Sequence, residues 1–373
     1  MGESERKQLM SGVRSVVVKV GTKVLSDARD RLDARRLAAI CAQVHRLRSR
    51  GLTVVVVSSG AIGAGMAELG MKKRPSTLPQ LQAAAAVGQS HLMAAYDRNF
   101  RKHGYRAGQV LLTREIVNDR QRYLNTRNAL HAILELGAVP VINENDTISV
   151  EEIDVTFGDN DFLAAMVTNL LRADLLVLLS MVDGLETPSG EVVDIVASSD
   201  KTVKAFARVE KTRLGKGGMG TKLEAADIAR SSGEMVVIAN GRRKDVLVDI
   251  LDGKPVGTLL LPRERKLSSR ARWIGFGARP AGTLVIDDGA RKALCERGKS
   301  LLPSGVVRVE GTFDKGSIVN IVDRKKHTLA RGLVNYTSDE ATVIAGHKSG
   351  EIKGLLGGCP YTEVVHRDNL VLL

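Results

Sequence analysis

Short apolar runs alternate with amphipathic segments through roughly the first 260 residues, and this alternation restricts the fold more than any other feature. Ser15–Val20 and Thr53–Val57 are β-branched and almost continuously apolar, as strands are when both faces of a sheet are covered. Between them, residues 33–50 repeat apolar side chains at helical spacing. The pattern predicts a three-layer α/β/α sandwich with a mainly parallel open sheet, in which ligands bind at the carboxyl ends of the strands.

The same alternation of apolar and amphipathic segments predicts the remaining strands and helices of this region. We predict further strands at 107–112, 138–142, 174–180 and 234–239. We predict further helices at 81–102, 123–136, 160–172, 221–232 and 243–251. The segment Val117–Asn128, rich in Arg, Asn and Asp, fits a lid or an inhibitor-responsive loop, and it fits a solvated loop leading into a helix equally well.

Beyond about residue 276 the sequence changes character, with short β-like segments separated by glycine turns. This spacing predicts a small, mostly-β barrel with strands at 282–286, 305–309, 317–322 and 328–334 and one helix at 288–296. We therefore predict a first domain at 1–262, a linker at 263–275 and a second domain at 276–373.

Composition limits the compartment and the partners. Hydrophobic residues make up 43% of the 373-residue chain, which is enough for the cores of two domains. The three cysteines lack metal-site spacing, and we see no signal peptide or membrane-spanning run, so we expect a cytoplasmic protein. The net charge of +13 raises the possibility of nucleic-acid binding, but the tail is nearly balanced, with 14 basic and 11 acidic residues at 276–373. A solvated surface explains this spread of charge better.

The glycine-rich segment Gly215–Lys222 predicts a polyphosphate-binding loop. Glycines let backbone N–H groups approach an anion, the following helix N-terminus favours negative charge, and Lys222 adds a cation. The segment matches neither alternative motif, because no apolar strand precedes it as in a dinucleotide fingerprint, and Thr221 and Lys222 reverse the Walker A order. Taken alone, the cluster fits a flexible surface loop equally well.

Further polar groups follow predicted strands. Lys19 lies within an apolar strand, where a lysine needs an anionic partner unless it faces solvent. Ser58–Gly65 offers paired serines and small residues, although a tight strand-to-helix turn would also explain the glycines. Two acidic and amide clusters, Asn143–Thr147 and Phe157–Asp161, exceed what helix capping alone requires. They offer carboxylates that can bind an ammonium group and amides that can bind polar substrate atoms.

Five motifs in this order resemble those of the glutamate 5-kinase family, within the amino-acid kinase superfamily. They are Lys19–Thr22, Ser58–Ile62, Ile142–Asp146, Gly158–Asp161 and Gly217–Lys222. The tail, including Ser300–Pro303 and Ala345–His347, resembles the PUA domain often appended to bacterial members. The resemblance covers nearly the whole chain and implies the amino-acid kinase fold followed by a PUA-like barrel.

The resemblance also implies residue roles in phosphorylating the glutamate side-chain carboxylate with ATP, the first step of proline biosynthesis. The expected catalytic residues are Lys19, Lys222 and Asp161, with Asp161 holding the two lysines in place. The expected glutamate-binding residues are Ser59, Gly60, Asp146 and Asn160. The expected nucleotide-binding residues are Lys19, Ser180, Met181, Gly217, Gly218, Met219, Gly220, Thr221 and Lys222. Mg²⁺ is expected to arrive with ATP, without a dedicated set of protein ligands.

One departure from the family pattern concerns the nucleotide. The family commonly has Thr-Asp after the strand that ends near Leu179, whereas this chain has Ser180 and Met181. Ser180 keeps the hydroxyl group, but Met181 replaces the acidic residue. The resemblance therefore implies the mode of nucleotide recognition less firmly than it implies the phosphoryl-transfer reaction.

Several alternatives and partners stay open at this level. An acetylglutamate or aspartate kinase is the nearest competing enzyme, although the two acidic and amide clusters favour a glutamate 5-kinase. An RNA-binding or RNA-modifying protein is the competing class, because PUA domains occur mainly with RNA enzymes, yet the tail has few aromatic residues. The resemblance further implies inhibition by proline, a homo-oligomer and a functional link to glutamyl phosphate reductase. It leaves RNA contact through the tail open and implies no membrane partner.

Overall fold

A computed structural model of the protein describes residues 3–113, 120–148, 159–187, 189–197, 218–263, 269–277, 280–358 and 361–373. The chain divides into two compact units. The first comprises Met1–Ile116 with Tyr123–Lys266, and the second comprises Leu267–Leu373 with Val117–Arg122. Residues 269–277, which overlap the predicted linker, are helical. The domain limits given above stay predictions.

Helices and strands alternate in the first unit. Its described helices are α1 (Glu3–Ser11), α2 (Thr22–Leu25), α3 (Ala34–Ser49), α4 (Ala61–Glu68), α5 (Leu78–Arg101), α6 (Arg120–Glu135), α7 (Asp159–Leu171), α8 (Met219–Ser232) and α9 (Val246–Leu251). Its described strands are β1 (Ser15–Val20), β2 (Thr53–Ser58), β3 (Ala107–Leu112), β4 (Val139–Glu144), β5 (Leu175–Ser180), β6 (Ile195–Val196), β7 (Met235–Asn240) and β8 (Thr258–Leu260).

The strands of the first unit form one large sheet in the order β3-β4-β2-β1-β5-β7-β8-β6. Neighbouring strands are parallel except for β7 and β8, which are antiparallel. Strand β1 lies between β2 and β5, and its five residues after Ser15 are buried. The prediction of a mainly parallel sheet with buried strands is therefore confirmed, and the ends of β4, β2, β1 and β5 lie side by side.

Helices α3 and α5 contribute large side chains to the core of the first unit. Leu37 and Leu47 of α3 and Leu92 and Phe100 of α5 are fully buried in the same hydrophobic cluster as the sheet residues. Helix α3 begins at Asp33, whose carboxylate accepts hydrogen bonds from two backbone N–H groups of the first turn.

The second unit contains a separate five-stranded sheet of order β10-β9-β11-β12-β13. Its strands are β9 (Gly282–Ile286), β10 (Val306–Glu310), β11 (Ile318–Val322), β12 (Thr328–Val334) and β13 (Val365–Leu372). Its described helices are α10 (Ser269–Arg272), α11 (Asp288–Arg297), α12 (Ser338–Ile344) and α13 (Ile352–Leu356). The sheet has its own hydrophobic core, which confirms the predicted mostly-β tail.

Two secondary-structure predictions need correction. Helix α6 begins at Arg120, three residues before the helix predicted at 123–136, so the loop predicted within 117–128 does not extend past residue 119, and 117–119 lie outside the described residues. Tyr123 and Leu130, seven residues apart, are buried in this helix, whereas residues 120–122 are polar and hid its first turn. The tail contains α12 and α13 besides the one predicted helix. Thr337 and Glu340 begin α12 with a reciprocal capping box.

Among the helices of the described residues, none is both long and apolar enough to cross a membrane. Cys41 and Cys295 carry free thiols, and burial raises the pKa of the Cys41 thiol to about 12. Cys41 is therefore a core residue and not a nucleophile at neutral pH.

Candidate active site

A cavity of about 430 Å³, here called the basin, opens where β1, β2, β4 and β5 end. Most of the predicted site residues line it. They are Lys19, Ser59, Gly60, Asp146, Asn160, Asp161, Ser180, Met181 and Lys222. These residues come from distant parts of the sequence. Four neighbouring strand ends contribute most of them, and the first turns of α7 and α8 contribute Asn160, Asp161 and Lys222.

At the floor of the basin, one carboxylate lies between two lysine side chains. The Lys19 Nζ atom is 2.6 Å from Asp161 Oδ1, and the Lys222 Nζ atom is 3.2 Å from Asp161 Oδ2. The side chains of the lysines are a tenth exposed or less, and that of Asp161 is 1% exposed. Each carboxylate oxygen thus faces one ammonium group, and the three charges form a buried cluster with an excess of positive charge.

Burial and the mutual charges shift the pKa values within this cluster. Burial would raise the pKa of Asp161, but the charges of Lys19 and Lys222 outweigh it and hold that pKa below the ordinary range. Burial lowers the pKa of Lys19, the Asp161 carboxylate opposes this shift, and the Lys222 charge adds to it. Asp161 is therefore ionised at neutral pH and compensates the two cations.

Helix α8 supplies Lys222 from its first turn. Gly218 is the N-cap residue of this helix, and the Thr221 hydroxyl lies 3.0 Å from the Gly218 carbonyl oxygen and 3.3 Å from Asp161 Oδ2. Met219 is 6% exposed. Among the described residues, the lining of the basin includes Lys222 but not Gly218, Met219, Gly220 or Thr221, and Gly217 lies outside the described residues.

Uncharged groups form another part of the wall. The Asn160 Nδ2 group donates hydrogen bonds to Ser59 Oγ at 2.8 Å, to the Ser58 carbonyl at 3.1 Å and to Asn143 Oδ1 at 3.1 Å. Asn160 Oδ1 is buried and has no hydrogen-bond partner among the described residues. Asp146 also lines the basin. This part of the wall thus contains amide, hydroxyl and carboxylate groups, one of whose buried oxygens lacks a partner within the described part of the chain.

The loop that carries Ser59 is held by close helix packing. Gly60 begins α4 with φ of +106°, a backbone conformation that side-chain-bearing residues rarely adopt. A Cβ atom at Gly65 would lie 1.7 Å from the Ala84 carbonyl oxygen, and one at Gly88 would lie 1.8 Å from the Ala61 carbonyl oxygen. Helices α4 and α5 therefore touch through their backbones, which fixes the position of the loop before α4.

The basin also contains residues that the sequence analysis did not single out as site residues. Four of them are cationic and two are acidic: Lys23, Arg29, Lys72, Arg74, Asp30 and Glu144. Lys23 pairs with Asp30 across the segment that follows α2. The sequence signal for Lys72 and Arg74 was a run of three basic residues before a proline. Such a run is also typical of surface loops, so it did not indicate a binding site. Among the described residues, no group of three or more His, Cys, Asp or Glu side chains could hold a metal ion.

Comparison with known proteins bears on both units. The model of the amino acid kinase family matches residues 14–240, and that of the PUA domain matches residues 282–356. The chain is 44% identical to a glutamate 5-kinase from Pelobacter propionicus over 99% of this chain and 100% of that protein. It is 45% identical to one from Geobacter sulfurreducens over the same shares. It is 44% identical to one from a Thermoanaerobacter strain over 96% of this chain and 97% of that protein.

Proposed function

Because the chain belongs to the amino acid kinase family and, within it, to the glutamate 5-kinases, we propose that it phosphorylates the side-chain carboxylate of L-glutamate with ATP. The products are ADP and L-glutamyl 5-phosphate, an acyl phosphate. The reaction is the first step of proline biosynthesis. The observation that most supports the proposed reaction is that two buried lysines form ion pairs with the Asp161 carboxylate.

The chemical step needs little from the protein beyond positioning and charge. A side-chain carboxylate oxygen of glutamate attacks the γ-phosphorus of ATP and forms a new O–P bond. The bond from that phosphorus to the β-phosphate oxygen breaks, and its electrons leave with ADP. No proton has to move, so the account needs no general base. Negative charge on the phosphoryl oxygens must be stabilised, as in phosphoryl transfer generally.

Lys19 and Lys222 are the residues we assign to that stabilisation. Their ammonium groups are desolvated, so their attraction to phosphate oxygens is stronger than that of surface lysines. Asp161 keeps the two like charges close together before the nucleotide arrives, because each of its oxygens contacts one of them. Mg²⁺ bound to ATP would supply further neutralisation of the phosphate charge.

The amide part of the basin is the proposed glutamate subsite, formed by Ser59, Gly60, Asp146 and Asn160. The Asp146 carboxylate and the free Oδ1 atom of Asn160 suit the ammonium group of an amino acid, which has only donors to offer. The Ser59 hydroxyl and the loop at Gly60 suit its carboxylate oxygens.

A second part of the basin lining is the proposed nucleotide subsite. Ser180 and Met181 line it after β5, and α8 begins beside it. We assign phosphate binding to Gly217–Thr221, together with the two lysines, because backbone N–H groups at the start of a helix favour anions. Met181 is 40% exposed and offers an apolar surface where relatives commonly carry an acid.

Further partners follow from family membership. Proline is the proposed feedback inhibitor, glutamyl phosphate reductase is the proposed functional partner, and the enzyme is proposed to be a cytoplasmic homo-oligomer. The PUA domain is proposed to act in regulation, assembly or RNA contact rather than in phosphoryl transfer. A chain that ends at Lys266 should then keep glutamate-dependent ADP formation. A truncated protein that folds without kinase activity would show that the tail helps to build the site.

The reaction is tested by coupled measurement of ADP release with L-glutamate, L-aspartate and N-acetyl-L-glutamate as acceptors. We expect glutamate to give the highest kcat/KM, and trapping of the acyl phosphate with hydroxylamine should give the glutamyl hydroxamate. A clear preference for either competing acceptor would contradict the assignment.

A further inference from the structure

Three side-chain amides form a chain from helix α5 to the basin. Gln89 of α5 is 8% exposed and Asn143 of β4 is 2% exposed. The Asn143 Nδ2 group donates to Gln89 Oε1 at 2.8 Å, and Asn143 Oδ1 accepts from Asn160 Nδ2 at 3.1 Å. Gln89 does not line the basin and belongs to none of the motifs.

Backbone groups fix the direction of this chain of amides. The Ser58 carbonyl can only accept, so the Asn160 atom 3.1 Å away must be its NH₂ group. The Glu144 N–H can only donate, so the Asn143 atom 2.9 Å away must be its oxygen. The NH₂ group of Asn143 therefore faces Gln89, which has to present its oxygen. Neither asparagine can be flipped without losing a part-buried hydrogen bond to the backbone.

We infer that Gln89 is a positioning residue of the glutamate subsite, which acts by holding Asn143 and, through it, Asn160. The inference rests on the proposed function, since that function defines the subsite. Gln89 supplies the acceptor that Asn143 Nδ2 needs in a place closed to water. With Asn143 held, Asn160 turns its NH₂ group away from the substrate and keeps Oδ1 to accept from the glutamate ammonium group.

Helix α5 is suited to this role because it forms hydrogen bonds with both β2 and β4. The hydroxyl group of Tyr96 lies 2.9 Å from Ser58 Oγ at the end of β2. Gly88, next to Gln89, lets α5 touch the backbone of α4. The acceptor at Gln89 thus lies on a helix that also contacts Ser58 and the backbone of α4.

The test compares Gln89→Met with a matched control, Gln43→Met. Both glutamines are buried, Gln43 being 5% exposed, and both accept one hydrogen bond, Gln43 Oε1 from the Leu247 N–H at 2.9 Å. Only Gln89 connects to the basin. Methionine keeps the length and volume of glutamine and removes the acceptor. We expect Gln89→Met to raise the glutamate KM about tenfold with the ATP KM unchanged, and Gln43→Met to change neither.

Gln89→Glu gives the conservative comparison. A carboxyl group at this position accepts from Asn143 in either protonation state, so the glutamate KM should stay within about threefold of the wild type. If Gln89→Met does not fold, Gln89→Asn replaces it, because the shorter side chain withdraws the acceptor while staying polar, and the same rise in glutamate KM is expected.

The outcomes separate this inference from the proposed function. A wild-type enzyme without glutamate-dependent turnover would overturn the proposed function. A wild type that phosphorylates glutamate, with an unchanged glutamate KM in Gln89→Met, would overturn only the role of Gln89. Equal rises in KM for Gln89→Met and Gln43→Met would also overturn it, because they would indicate a general effect of core damage.

Discussion

Two sets of side chains line the basin: in the set here called the charged side, ion pairs join Lys19, Asp161 and Lys222, whereas in the set called the amide side, neutral hydrogen bonds join Ser59, Asn143 and Asn160. Both sets are largely buried, but they suit different tasks. Buried charge acts strongly on charge that develops in a reaction, while oriented amides and hydroxyls distinguish the polar groups of a ligand. The comparison suggests that the charged side governs turnover and the amide side governs the choice of acceptor.

The largest expected effect on stability comes from removing the central charge. Asp161→Asn leaves two desolvated ammonium groups facing a neutral amide, so the free energy of unfolding should fall by about 3–5 kcal/mol. Asp252→Asn, which removes an exposed partner of Arg50, is the control and should change stability little. Urea denaturation of both variants and the wild type measures the difference. Equal stability of Asp161→Asn and the wild type would mean that the three charges are not coupled.

The low pKa of Asp161 also predicts a dependence of stability on pH. Because the pKa is lower in the folded than in the unfolded state, the ion pairs contribute fully above the unfolded value, about 4. The contribution is lost as the pH falls through the lower, folded value. The stability advantage of the wild type over Asp161→Asn should therefore shrink as the pH falls below about 4. An advantage that grows on acidification would contradict this sign.

Removal of either lysine should act on turnover. Lys222→Ala and Lys19→Ala should each lower kcat at least ~100-fold, because each removes charge stabilisation of roughly 3 kcal/mol. Lys23→Ala is the matched control, since Lys23 also lines the basin but its side chain is 65% exposed. Initial rates at saturating glutamate and ATP measure the effect. A lysine variant with near-normal kcat would remove that lysine from the catalytic group.

On the amide side, Asp146→Ala should mainly raise the glutamate KM, by roughly 10- to 100-fold, because a hydrogen bond to a charged group is lost in the bound complex. The ATP KM should stay the same. Initial rates are measured first with varied glutamate at saturating ATP, and then with varied ATP at saturating glutamate. An unchanged glutamate KM would assign Asp146 to the structure of its loop.

The smallest expected effect concerns the nucleotide end. Met181→Asp introduces the acidic residue that the family resemblance leads us to expect here, and it should lower the ATP KM by up to about fivefold, as expected for a polar contact at a partly exposed site. The glutamate KM and kcat should change little. A change confined to the glutamate KM would show that Met181 belongs to the amide side of the basin.

The sequence predicted most of the large sheet because its strands are buried on both faces and read as nearly continuous apolar runs, as in Leu175–Leu179. Lys19 could be singled out by the same logic, since a lysine stands out within such a strand. The start of helix α6 was predicted three residues too late, at 123 instead of Arg120, because residues 120–122 are polar and show no apolar periodicity.

Other features of the basin depend on contacts that no local pattern reveals. Gln89 lies in the alanine-rich helix α5. Its inferred role depends on the hydrogen bond that it accepts from Asn143, which is 54 positions away in sequence. Gly65 and Gly88 are unremarkable in sequence, yet they set how closely α4 approaches α5. Such residues become visible once the strand ends have been brought together.

The most direct test of the division between the two sides is one steady-state experiment on Lys222→Ala and Asp146→Ala, with glutamate varied at saturating ATP. The account predicts a kcat at least ~100-fold lower for Lys222→Ala and a normal kcat with a raised glutamate KM for Asp146→Ala. The reverse pattern, or the same loss of kcat in both variants, would contradict it.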